Sequence, residues 1–80
     1  MWVAQLIGEN SETVALSRFR RLQGKLHSVL GSYEPALLRT ALKDGTTWVR
    51  VRVEFDTRQA AEALCSKLEA ARESCLVQRN

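Results

Sequence analysis

Residues 46–55, TTWVRVRVEF, decide how the rest of this 80-residue chain is read. Val49, Val51, Val53 and Phe55 share one parity, while Trp48, Arg50, Arg52 and Glu54 take the other. An extended backbone from Thr47 to Phe55 therefore shows one apolar face and one charged, aromatic face. β-Branched side chains on the inward row suit a pleated surface packed on helices. On the outward row, two arginines stand roughly 7 Å apart beside an indole. A solvated edge with one stray aromatic and a binding face both account for this row, although solubility alone does not call for the tryptophan. Asp44-Gly45 just upstream is a turn signal. Pro35–Leu42 (PALLRTAL) lacks a polar stripe at helical spacing, so it reads as the first strand of a hairpin that residues 47–55 complete.

Outward from this hairpin, Trp2–Gly8 (WVAQLIG) alternates loosely and fits a short first strand. Asn10 and Ser11 are good N-cap residues and Glu12 suits a first turn. A helix is expected over residues 11–30, its apolar stripe made of Ala15, Phe19, Leu22, Leu26, Val29 and Leu30. The register carries across Gly24, and Gly31 supplies the stop. After the central strand, Asp56 or Thr57 caps a helix over residues 57–72, with Ala61, Leu64, Cys65 and Leu68 on its buried side. Cys75–Arg79 (CLVQR) closes the chain as a short strand. The order is β-α-β-β-α-β, two copies of one half. It predicts an α+β fold with a four-stranded antiparallel sheet, two helices on one face and the other face open.

Composition sets the outer limits. Residues 1–80 are expected to form one small domain, since the length leaves no room for two cores. Hydrophobic residues at 45% and charged residues at 26% fit an ordinary globular chain rather than a disordered one. The net charge of +3 leans toward polyanions without implying nucleic acid by itself. No apolar run approaches the roughly 18 residues of a membrane span, so no membrane contact is expected of the domain itself. If the natural protein is exported, its signal or anchor would lie outside this stretch.

Residues able to carry chemistry are sparse. His27 is the only histidine and has no cysteine or carboxylate at ligand spacing, so neither a metal nor another cofactor is expected. No glycine-rich phosphate loop occurs. The carboxylates Glu9, Glu12, Glu34, Asp44, Glu54 and Asp56 fall near loops and helix caps, where solvation or capping explains them. Catalysis is not expected. Cys65 lies on the apolar stripe of the second helix and Cys75 begins the strand that packs under it. A disulfide and two small buried thiols fit that placement equally.

Several stretches carry a resemblance. W-x-A-Q-L near the start, the tryptophan-led R-V-R-V strand, F-D-T after it, A-A-E-A-L-C-S-K-L, and C-L-V at the end together resemble a SPOR (sporulation-related repeat) domain. The likeness covers nearly the whole chain and is densest from Trp48 to Val77. It implies a ribonucleoprotein-like fold that binds peptidoglycan without catalysis, favouring glycan strands that lack stem peptides. It also implies a periplasmic setting, as the terminal domain of a membrane-anchored or exported protein that acts at the septum in cell division or wall remodelling. An oxidising compartment tips Cys65 and Cys75 toward a bond. By position Gln5 matches the family's first-strand glutamine and Arg50 its third-strand arginine. With Trp48 and Arg52 they make the expected glycan-binding set, and Gln5 is expected close to Arg50.

The chain departs from the family pattern in three places. Val53-Glu54-Phe55 stands where V-G-P-F is common. The glycine usual after the first-strand leucine is Ile7, with Gly8 one step later. Ala71, Arg72 and Glu73 replace the glycines that commonly end the second helix. Physically, guanidinium and amide groups suit sugar hydroxyls, N-acetyl carbonyls and lactyl carboxylates, and the indole of Trp48 suits a sugar ring. A basic sheet of this topology can also serve single-stranded nucleic acid, but the paired aromatics of such a strand are missing, since Trp48 stands alone among valines and arginines. A protein-interaction module using the same face or a free edge is the third class.

Overall fold

The alternation of TTWVRVRVEF is realised in space: Val49, Val51 and Val53 are buried, and the residues between them turn to the opposite face. The computed structural model describes residues 1–80. In chain order the elements are β1 (Trp2–Glu9), α1 (Glu12–Lys25), α2 (His27–Leu30), β2 (Ala36–Ala41), β3 (Thr47–Phe55), α3 (Arg58–Ala70) and β4 (Leu76–Arg79). The strands make one sheet in the order β2-β3-β1-β4, every neighbouring pair antiparallel. The fold is α+β, as expected, but with three helices rather than two. No helix is long and apolar enough to cross a membrane.

All the helices contribute to one core. Ala4, Leu6, Ile7, Val49, Val51 and Val53 from the sheet meet Ala15 and Phe19 of α1, Leu30 of α2, and Leu64, Cys65 and Leu68 of α3. Truncating a fully buried aromatic such as Phe19 to alanine would cost on the order of 3–5 kcal/mol. A chain of this size has a total stability of only roughly 4–12 kcal/mol, so its cross-link matters. The disulfide Cys65–Cys75 ties α3 to the start of β4, with a Cα–Cα distance of 5.2 Å.

The first helix does not run to Leu30. It ends at Leu26, whose backbone leaves the helical region (φ −116°, ψ 51°), and α2 restarts at His27. The apolar spacing crosses this break without a change of phase, which is why a single helix was expected. A side chain in the last turn of α1 stabilises the break: the Gln23 amide donates to the carbonyls of Leu30 (3.0 Å) and Tyr33 (2.8 Å). The Leu30 carbonyl also accepts from the Tyr33 N–H (3.1 Å), so the one amide ties the end of α2 to the loop that follows it. The outcome is that Leu30 turns fully into the core.

The other helix ends follow local chemistry. Ser11 and Thr57 are the N-caps of α1 and α3, their hydroxyls accepting from the Val14 and Ala60 N–H groups, each at 3.2 Å. At the end of α3, Arg72 takes the left-handed conformation (φ 63°) where a glycine would be unstrained. The Glu73 N–H reaches back to the Leu68 carbonyl at 2.9 Å, closing the helix. In the β2–β3 turn Gly45 sits at φ 87°, and Asp44 accepts from the Thr46 hydroxyl (2.6 Å) and amide (3.0 Å), which holds its carboxyl below the usual range. Arg39 of β2 does the same for Glu12 by donating to it at 2.6 Å. Without glycine or proline at residues 53–55, β3 continues unbroken to Phe55, which pairs with Trp2 and meets the Tyr33 ring edge-on, 5.5 Å between centroids.

Candidate functional site

The face of the sheet away from the helices is built row by row from the strand register. Trp48 lies opposite Thr40. Arg50 lies between Leu38 of β2 and Gly8 of β1. Arg52 lies between Ala36 and Gln5, with Leu76 of β4 beyond. Directly paired residues of neighbouring strands point to the same side, so Gln5, Trp48, Arg50 and Arg52 share one face. Their expected grouping holds in that sense. Gln5 lies opposite Arg52, with Arg50 one row further on as a diagonal neighbour.

A β-bulge sets this phase. The β1–β3 register shifts between Gln5 and Ile7, so Leu6 and Ile7 both enter the core and Gly8, rather than Ile7, comes up opposite Arg50. The extra residue that displaces the glycine in sequence is thereby taken up in space. Gly8 then forms the seat of the Trp48 indole: a Cβ at residue 8 would lie 2.7 Å from Cζ2 and 3.0 Å from Nε1. The ring lies across the backbone of β1 at a point where a side chain would push it off. Trp48 is the only aromatic on this face. Trp2 is on the helix side beneath Arg58 and Arg79, Phe19 is in the core, and Tyr33 and Phe55 face each other.

The two arginines differ. Arg50 is partly exposed and donates to the Thr40 hydroxyl at 3.0 Å, which holds the guanidinium over β2 and β3. Arg52 is 8% exposed, donates to the Asn80 side-chain oxygen at 2.7 Å, and has a buried Nε with no partner. The four ion pairs of the molecule are Arg18–Glu9, Lys25–Glu73, Arg39–Glu12 and Arg58–Glu62, so neither arginine is neutralised by a carboxylate. The face thus offers an apolar plate, an amide at Gln5 and two uncompensated positive charges, Arg50 partly exposed and Arg52 buried.

Sequence reading missed Gly8, Thr40 and Asn80. The bulge, and hence the place of Gly8, had no distinct signal, since the strand alternates only loosely and Trp2-Val3-Ala4 is an apolar run as much as Leu6-Ile7 is. Thr40 and Asn80 become visible only once the register is known. His27 is exposed, and no group of three or more His, Cys, Asp or Glu side chains gathers to hold a metal. Neither cavity of the molecule is lined by Gln5, Trp48, Arg50 or Arg52, so the face is a shallow surface suited to an extended ligand.

The chain is an α+β domain whose four-stranded antiparallel sheet carries a tryptophan–arginine strand at its centre. The chain belongs to the SPOR domain family, whose model matches residues 2–79. This is a family of binding domains known for peptidoglycan binding in cell division. No curated protein and no solved structure significantly matches the chain.

Proposed function

We propose that residues 1–80 act as a single, non-catalytic module that binds peptidoglycan glycan strands through the open face formed by Gln5, Trp48, Arg50 and Arg52. The observation that carries this reading is the Trp48 indole seated on Gly8 beside guanidinium groups that no carboxylate neutralises. A pyranose ring packs its apolar side on an indole. Arg50 donates to hydroxyls, N-acetyl carbonyls or a lactyl carboxylate, and Gln5 both donates and accepts. Strands lacking stem peptides suit the site, because a lactyl group freed of its peptide carries the negative charge that a basic face attracts. The disulfide is consistent with an oxidising compartment. We place the module in the periplasm, as the terminal domain of an anchored or exported protein that it brings to the septum during division or wall remodelling.

Single-stranded nucleic acid is the competing ligand for a basic sheet. Such sheets stack successive bases on two or three aromatics, and this face has one. The test sets the two side by side: sedimentation of the chain with insoluble sacculi, intact or stripped of stem peptides by an amidase, and a mobility shift with single-stranded RNA. The reading expects co-sedimentation, greater with stripped sacculi, and no shift. An RNA shift without sedimentation would reverse the assignment.

A further inference from the structure

β4 covers only part of its neighbour. Its ladder with β1 extends from Trp2↔Arg79 to Gln5↔Leu76, whereas β1 continues to Glu9. None of the hydrogen bonds made by loops and turns ends on the backbone of Leu6–Glu9. One side of this stretch is therefore a free strand edge next to the centre of the sheet, where folded proteins ordinarily pair or cover the backbone.

The vacated place is a cavity of about 230 Å³, floored by Leu6, Ile7 and Leu22 and walled by Arg18, Arg21 and Lys25. These three cations recur every three or four residues along one side of α1, so they line the edge at intervals of about one helical turn, roughly 5.4 Å. The chain's own carboxylates occupy the two ends of the row: Glu9 pairs with Arg18 at 2.6 Å and Glu73 with Lys25 at 3.3 Å. Arg21, between them, is exposed and forms no ion pair.

We infer that this notch docks an extended, acidic segment of a partner protein, which continues the line of β4 along Leu6–Glu9. The free edge supplies backbone hydrogen bonds, the mode by which a sheet accepts an added strand. Side chains on one face of the incoming strand alternate roughly every 7 Å. A carboxylate on the helix-side face then meets Arg21 while the strand's backbone covers the edge at Leu6 and Ile7, its apolar residues turning to the opposite face. The notch is on the helix side of β1 and is lined by none of Gln5, Trp48, Arg50 and Arg52, and of the edge residues only Gly8 also reaches the open face.

The probe is a short peptide alternating glutamate and valine, titrated into the ¹⁵N-labelled chain beside its lysine–valine counterpart. The expected result is saturable shifts and slowed amide exchange at Leu6–Glu9 with the glutamate peptide only. Arg21→Glu should weaken binding about tenfold or more, and Lys67→Glu on the far side of α3 should leave it unchanged. Absence of binding, shifts at Trp48 and Arg50 with Leu6–Glu9 unmoved, or an equal loss in Lys67→Glu would each overturn the inference.

Discussion

Trp48 rests its indole directly on Gly8, so that a methyl group at residue 8 would overlap the ring at Cζ2. The contact exists because the bulge at Leu6 brings glycine, not isoleucine, to the open face. Gly8→Ala should therefore displace the indole, at an overpacking cost of about 1–3 kcal/mol, and reduce sacculus binding. The check is the Trp48 indole N–H resonance together with the melting curve. A variant with an unmoved indole and full binding would remove Gly8 from the account.

Arg50 and Arg52 should separate experimentally. Arg50 is accessible, and a charge-assisted hydrogen bond contributes on the order of 1.5–3 kcal/mol, so Arg50→Ala should weaken binding roughly ten- to a hundredfold without loss of fold. Arg52 is buried with one hydrogen bond and no counter-charge. A buried ion carries a desolvation cost of several kcal/mol, which no counter-charge offsets here and which an apolar side chain of similar length does not carry. Arg52→Met should accordingly hold or raise the denaturation midpoint and affect binding less than Arg50→Ala. A large loss of stability would show that the Arg52–Asn80 contact is a structural requirement.

Reducing Cys65–Cys75 should destabilise the chain by about 2.7 kcal/mol on the loop-closure argument for a separation of 10 residues. Denaturant melts with and without reductant measure this. The reduced chain should still fold, since the helix–sheet core does not depend on the bond.

Arg72 is the only non-glycine residue at positive φ. Its left-handed conformation costs roughly 1–2 kcal/mol in a residue with a Cβ, so Arg72→Gly should stabilise by about 0.5–1 kcal/mol after the greater freedom of the unfolded glycine is subtracted. An unchanged midpoint would mean that the arginine makes compensating contacts.

Much of this architecture is legible in the order of residues, for physical reasons that can be named. Valine–arginine alternation admits one strand and one inward face. Ser11 and Thr57 are capping hydroxyls with local partners. The break at Leu26 was hidden because Leu22, Leu26, Val29 and Leu30 keep helical spacing through it, while its support comes from Gln23 reaching carbonyls seven and ten residues away. The row that Gln5 shares with Arg52 was not legible because strand register depends on how two distant segments align, and the bulge changes that alignment midway. Thr40 and Asn80 gain their places beside the arginines only through that same register.

The central claim is that the glycan is held by the open face rather than by diffuse positive charge. The most direct measurement is sacculus co-sedimentation of Trp48→Ala and Arg50→Ala against Lys67→Ala, which removes one charge from an exposed position on α3. The account predicts that both open-face variants lose binding while remaining folded and that Lys67→Ala binds as the parent chain does. Equal losses in Arg50→Ala and Lys67→Ala, or full binding by both open-face variants, would contradict it.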